Sequence, residues 1–277
     1  MSGLLLFVAF PAISLVAQED KKEIIEDSLQ YNWEQFSVNL GMFLTTIQSD
    51  IGLVGSESGV GINLNLEEAL GLNTNTFAFR GDAAYNFGSK RRSHVRVGYF
   101  GLIRNSTKIL ESEITIGNEV YPIGTELSSR YDLHIIRALY DYAYYQDERI
   151  SLSLSAGLFI LPMNFSLSTG NVIDESAKFI APLPVFGMRN SFFITPKFQL
   201  KQNLEVLYVK TEGFQGSITD VNLQIEYNPF KHLGFGLGYN SFNYRFSVFE
   251  STERFGEFEG SLKTGFSGFL LYGKYFF

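Results

Sequence analysis

From Gln35 onward, apolar side chains recur at every second position of the chain. A period of two places successive side chains on opposite faces of a strand, so each strand here meets two different environments. In TFAFRGDAAYNF (76–87), Phe77, Phe79, Gly81, Ala83, Tyr85 and Phe87 share one face, and Ala78, Arg80, Asp82, Ala84 and Asn86 the other. In SHVRVGYFGLIRN (93–105), Val95, Val97, Tyr99, Gly101 and Ile103 oppose His94, Arg96, Gly98, Phe100, Leu102 and Arg104. The alternation continues through 133–145, 150–160, 217–227 and 233–240, where Arg137, Asp141 and Glu226 stand on the polar face.

The connections carry a second pattern. Short turns fall at 88–91, 146–149, 195–197 and 228–232, and longer links at about 50–74, 106–124, 169–179, 211–216 and 250–257. Short turns at one end and longer loops at the other are the arrangement of a transmembrane antiparallel up-and-down β-barrel. The count predicts an all-β fold of about 10 strands, with 8–12 compatible with the spacing. The stretch 59–72 reads either as an extra hairpin arm or as a strand followed by a helical turn. A water-soluble β-sandwich would also alternate. Its second face, however, would carry Lys, Glu and Thr rather than glycines and isolated charges, and its apolar face would lack aromatics near the strand ends.

Lipid offers no hydrogen bonds, so a spanning sheet closes on itself. A charge on the lipid face at mid-bilayer costs about 2–4 kcal/mol. Arg80, Asp82, Arg96, Arg137, Asp141, Arg189, Glu205 and Glu226 are therefore expected to point inward as a packed charge network that sets any selectivity. With GSK as a three-residue turn, Phe87 opposes Arg91 and Asp82 opposes Arg96. With QDE as the next, Tyr144 opposes Ile150, Arg137 opposes Gly157, Asp141 opposes Ser153 and His134 opposes Ile160.

The first residues depart from this pattern. MSGLLLFVAFPAISLVA is apolar from Leu4 to Val16 and reads as a signal peptide over 1–17, cleaved after Ala17. Residues 18–34 then form a polar N-terminal segment in the periplasm, and 35–277 the barrel. Beyond the leader no apolar run is long enough for a spanning helix. The chain has no Cys, which excludes disulfides and thiolate metal sites. Its net charge of −7 argues against a phosphate-binding surface and so against nucleic acid as a partner.

Candidate chemistry is sparse. There are three His. His232 falls in a short turn, His94 low in the lumen near Asp82 and Arg96, and His134 near the outer end of its strand on the lipid side beside Tyr131. Outer-membrane hydrolases, acyl transferases and proteases use His with Ser or carboxylate partners at the outer rim, so His134 is the catalytic candidate. Asp132, Ser128 and Ser129 are its nearest partners in sequence. GFGLGYNSF (234–242) contains G-x-G, but inside a strand pattern rather than a nucleotide loop. No cofactor or metal site is expected.

The last strand, FSGFLLYGKYFF, alternates Phe269, Leu271, Gly273, Tyr275 and Phe277 and ends on the aromatic. It resembles the closing strand of bacterial outer-membrane β-barrel proteins, the signal read by the barrel assembly machinery. More widely, LEEALGL, GNEVYPIGTELSSRYDLHIIRALYDYAYY, APLPVFGMRNSF and SITDVNLQIEYNPFKHLGFGLGYN resemble a widespread, poorly characterised family of small outer-membrane barrels. That resemblance implies a fold and the bacterial cell outer membrane; the even strand count then puts both termini on the periplasmic side, as a cleaved signal requires. The implied partners are outer-membrane lipids, lipopolysaccharide and the assembly machinery, with the barrel a monomer. It implies no catalytic residues. The expected role is structural or passive handling of small solutes; the alternatives are an enzyme at the outer rim or a barrel that binds through its surface loops.

Overall fold

A computed structural model describes residues 33–54, 61–116, 119–170, 172–211, 213–248 and 260–277. The signal peptide and most of the polar segment expected before the barrel lie outside the described residues. In chain order the elements are β1 Phe36–Val54, β2 Gly61–Asn65, α1 Leu66–Leu70, β3 Asn75–Phe87, β4 Ser93–Ile109, β5 Ile114–Ile116 and β6 Glu119–Tyr121. They continue with β7 Glu126–Gln146, β8 Ile150–Thr169, β9 Val172–Thr195, β10 Phe198–Lys210, β11 Phe214–Tyr227, β12 Leu233–Val248 and β13 Gly260–Phe276. Ten long antiparallel strands form one closed barrel in the order β1-β3-β4-β7-β8-β9-β10-β11-β12-β13, and β13 pairs back onto β1 from Phe276–Ser37 to Gly260–Leu53. Closure leaves no first or last edge to satisfy in lipid. The short β2 pairs along the far end of β1 and runs into α1, so 61–70 is a strand followed by a helical turn. The hairpin β5–β6 stands apart.

Two expected long links are tight turns instead. β8 and β9 are separated only by residues 170–171, and β10 and β11 only by 211–213, where loops over 169–179 and 211–216 were expected. Polar sequence such as DES at 174–176 reads as loop, yet it lies in strand because these strands outrun the membrane. The 20 residues of β8 extend about 66 Å at the usual rise, far more than a tilted strand needs to cross a hydrocarbon band of about 25 Å.

Register also differs from the turn-based expectation, by two residues at each hairpin. Phe87 opposes Ser93, so Asp82 opposes Gly98 and Arg96 opposes Ala84. The turn there is a five-residue connection containing the 3₁₀ turn Ser89–Arg91, not the three residues assumed. At the next hairpin a bulge between Ala143 and Tyr145 sets Asp141 against Ser155 and Arg137 against Phe159, and Tyr144 stands out of the ladder. The unbroken register from Leu133–Met163 to Ile136–Ile160 places His134 across from Pro162.

The outer face shows where the membrane is. On β12, Leu233, Phe235, Leu237 and Tyr239 point outward and are exposed, and the same face then turns polar at Ser241, Asn243 and Arg245. On β13 the outward residues Tyr275, Leu271 and Phe269 give way to Ser267 and Lys263. On β4 Ile103 gives way to Asn105 and Thr107. An apolar belt thus surrounds the half nearest the chain termini. Beyond it the barrel continues with a polar exterior.

The β9–β10 ladder ends early, at Phe186–Val206, although both strands continue. Continued in register, the ladder would set Val185 against Leu207, then Pro184 against Tyr208 and Pro182 against Lys210. Proline has no N–H to donate, so the ladder stops there. The long β9 then pairs with β8 alone.

Candidate functional site

The inward face divides into two sections. The section inside the apolar belt is charged. Glu226, fully buried, accepts hydrogen bonds from Lys274 Nζ at 2.6 Å, Lys201 Nζ at 3.0 Å and the Tyr272 hydroxyl at 2.8 Å. Glu34, just before β1, reaches the same two lysines, with Lys201 at 3.3 Å and Lys274 as a direct ion pair. Arg96 donates to both oxygens of Asp141, at 2.6 and 2.8 Å, and to Glu205 at 2.9 Å. Ser155 Oγ donates to Asp141 at 2.6 Å, a bond set up by the observed register. Arg189 stands 3.6 Å from Asp141. Arg80 pairs with Asp82 at 2.9 Å, and Arg137 reaches both Asp82 and Asp220. Each of these three groups holds two cations and two carboxylates, so each is formally neutral. A buried charge is tolerated when it is paired in this way.

Gly98 makes one of these pairings possible. It lies between Asp82 on β3 and Arg137 on β7 in the cross-strand register. A Cβ at Gly98 would lie 2.5 Å from Asp82 Oδ1 and 3.0 Å from Arg137 Nη2, so only glycine leaves the path open for the guanidinium.

The expected charge residues Arg80, Asp82, Arg96, Arg137, Asp141, Arg189, Glu205 and Glu226 all point into this section. That set left out Glu34, Lys201, Asp220 and Lys274. Lys201, Asp220 and Lys274 carried a usable signal, the inward parity of their strands; Glu34 precedes the first strand and carried none. The segment Trp33–Gln35 lies across the terminal end. Gln35 N donates to Phe277 O at 2.7 Å, Asn86 Nδ2 to Glu34 O at 2.7 Å, and Trp33 Nε1 to Asp147 O at 2.9 Å. Burial pushes the Glu34 carboxyl up, but Lys201 and Lys274 outweigh it and hold the group below the usual carboxylate range.

Beyond the charged section the lumen is apolar, contrary to the expectation of a charge-filled interior throughout. Phe100, Phe266 and Phe242 stack in series with centroids 4.8 and 5.0 Å apart, and Phe43 packs edge-on at 5.9 Å. Above them the buried Tyr131 and Tyr244 hydroxyls meet at 2.8 Å. Helix α1 folds inward, with Leu66 and Leu70 in the apolar core. Asn65 caps its N-terminus and Gly71, at φ 68°, ends it in the left-handed conformation that glycine adopts freely. Glu67 anchors it, accepting from Ser49 N at 2.8 Å and from Arg104, whose guanidinium lies 4.9 Å over the Tyr131 ring. The signal in sequence was available: in β13 the inward residues run Lys274, Tyr272, Leu270, Phe266, Leu262, from charged to apolar, while the outward ones run the opposite way.

The histidines do not assemble a catalytic group among the described residues. His134 faces outward and pairs with the Tyr99 hydroxyl at 2.8 Å, stacked on its ring, whereas Tyr131, the expected neighbour, points inward. Asp132 pairs instead with Arg130 at 2.9 Å, and Ser128 with Thr107 at 3.0 Å. His94 opposes Asp141 and lies 2.7 Å from Asn86 Oδ1, rather than beside Asp82. His232 is exposed and contacts Phe276 O at 3.0 Å. At the closing strand, Phe269, Leu271, Tyr275 and Phe277 are exposed outward and Tyr272 and Lys274 buried inward.

No family model matches the sequence, and no curated protein sequence matches it. Solved structures do match. The outer membrane protease OmpT from Escherichia coli is similar with a TM-score of 0.52 at 10% identity, over 87% of this chain and 96% of that one. Ail, the attachment invasion locus protein of Yersinia pestis, gives 0.36 at 13% identity, over 88% and 100%. The Pseudomonas putida toluene transporter TodX gives 0.34 at 8%, over 89% and 91%. Of these only the first bears on the fold. Ten antiparallel strands, a closed ladder, an apolar outer belt and that similarity together give this chain the fold of an outer-membrane β-barrel.

Proposed function

We propose that the protein is a sealed structural barrel of the bacterial outer membrane that anchors a rigid β-wall at the cell surface and does not conduct solutes. The observation that carries this is the change of lumen chemistry along the axis. Paired charges fill the section inside the belt, and a stacked Phe layer with α1 folded over it fills the rest. A passive channel needs a continuous wettable path, and an apolar constriction of this kind dewets. In this reading the chain ends and the short turns face the periplasm, residues 1–17 are removed on export, and lipid, lipopolysaccharide and the assembly machinery are the partners of the folded monomer. The wall is tallest at β7, β8 and β9, with 21, 20 and 24 residues, and lowest at β3, β10 and β11, with 13, 13 and 14. This sloping rim supports contact with other molecules through the tall side. Planar-bilayer recording of the purified protein tests the reading: insertions are expected to be silent, and stepwise conductance on insertion would refute it.

A further inference from the structure

The charged section of the lumen lines a partly open cavity of about 50 Å³. Five cationic side chains line it, Arg80, Arg96, Arg137, Arg189 and Lys201, against one carboxylate, Asp82. Of the other carboxylates of the network, Asp141, Glu205, Asp220 and Glu226 are at most 2% exposed and Glu34 stands at the terminal end; none of these five lines the cavity. The network is neutral as a whole but polarised: apart from Asp82, its carboxylates sit behind the N–H groups that surround the cavity. At the centre of such a shell the nearest charges are positive, and their attraction is weakly screened.

Arg189 supplies an independent observation. Arg96 takes the short hydrogen bonds of both Asp141 and Glu205, and Arg189 is left with an ion pair at 3.6 Å. Its Nη1 has no hydrogen-bond partner although the residue is 9% exposed. The amide oxygens of Asn39 and Asn203, two further lining residues, are also buried without partners. Buried polar groups are nearly always satisfied, and a cluster that is not marks a missing ligand or ordered water. The volume suits about three to five waters, or one tetrahedral ion with its four oxygens. Guanidinium forks match the oxygens of such an ion, and the amides of Asn39 and Asn203 present N–H donors to it once rotated.

We propose that this cavity is a binding site for one small oxyanion of the sulfate or phosphate class, entered from the terminal end past Glu34. The aromatic layer closes the opposite side, so the ion is held rather than passed through the barrel. Occupancy is independent of whether the barrel conducts.

Crystals of the detergent-solubilised protein soaked in selenate test the site, with calorimetric titration of sulfate at fixed ionic strength alongside. The expected result is one selenium peak inside the cavity and one sulfate per barrel. Arg189→Gln is expected to weaken sulfate binding at least tenfold. Ala84→Leu fills the cavity from β3 while keeping every charge, and is expected to abolish it. A cavity that holds water alone, a selenium peak only on the outer surface (an adventitious ion only), or unchanged sulfate binding in the Ala84→Leu barrel would overturn the proposal. If Arg189→Gln fails to fold, the Ala84→Leu titration and the selenate map still decide.

Discussion

Replacing Glu226 by Gln isolates what holds the terminal end of the lumen together. The side chain is fully buried and is shared by Lys274 at 2.6 Å, Lys201 at 2.9 Å and the Tyr272 hydroxyl at 2.8 Å. Each ammonium contact is worth about 5–6 kcal/mol of gross attraction at an effective dielectric of 20, much of it offset by desolvation of the ions. Gln preserves the shape and removes the charge. The group of Lys201, Lys274, Glu34 and Glu226 then changes from neutral to one excess positive charge in a buried site. Breaking a buried pair on one side typically costs about 3–5 kcal/mol, which is a factor of roughly 150 to 5,000 in the folding equilibrium. Urea unfolding of the barrel in lipid vesicles, followed by far-ultraviolet circular dichroism, measures this directly. The decisive comparison is Glu226→Gln with and without Lys201→Met. The second change restores neutrality, so the double variant is expected to recover at least about 1 kcal/mol by a double-mutant cycle. If the double variant is as unstable as the sum of its parts, or Glu226→Gln costs less than about 1 kcal/mol, the charge-balance argument fails.

Three further outcomes follow from the geometry. Gly98→Ala forces a Cβ to within 2.5 Å of Asp82 Oδ1 and is expected to destabilise the barrel by about 1–3 kcal/mol in the same assay, a cost that Gly273→Ala, whose added Cβ meets nothing within 4 Å, escapes. Replacing Pro182 and Pro184 by Thr restores the two missing donors opposite Lys210 and Tyr208, so hydrogen exchange at the far end of β9 and β10 is expected to slow; unchanged exchange there would show that the prolines do not end the ladder. Glu34 gives a pH signature. Its folded carboxyl titrates below its unfolded one, so its contribution to stability is complete above the ordinary carboxylate range and is lost as pH falls through the lowered value. The stability difference between the parent and Glu34→Gln is therefore expected to be constant from neutral pH down to about pH 5 and to shrink below about 4.5, the range of unperturbed Glu.

Much of the barrel was legible in the sequence because lipid imposes a rule that a local pattern can express. Outward parity through the belt must be apolar, and so Tyr85, Leu237 and Leu271 announce their strands and faces. Inward parity placed Arg80, Arg96 and Glu226 in the lumen for the same reason. The loops were less legible. Outside the membrane the outward face turns polar, and the acidic stretch at 174–176 carries no signal that separates strand from loop. Register was misjudged where turn length was inferred from residue type, since a 3₁₀ turn at 89–91 and a bulge near Tyr144 each shift pairing by whole residues without altering the apolar alternation.

The sequence by itself determined the class of structure, the inside and outside of each spanning strand, and the alternation of the closing strand β13. Those are consequences of two-residue periodicity and of the free energy of placing charge in lipid, both of which act on a strand alone. Partner choice inside the lumen was decided only by the tertiary structure. Arg137 meets Asp82 across Gly98, Glu226 shares Lys201 and Lys274 with Glu34, which precedes the barrel, and four Phe from β1, β4, β12 and β13 pack into one layer. These contacts depend on strand stagger around a closed circuit. That stagger is the sum of every turn and bulge, and no single segment of the chain contains it.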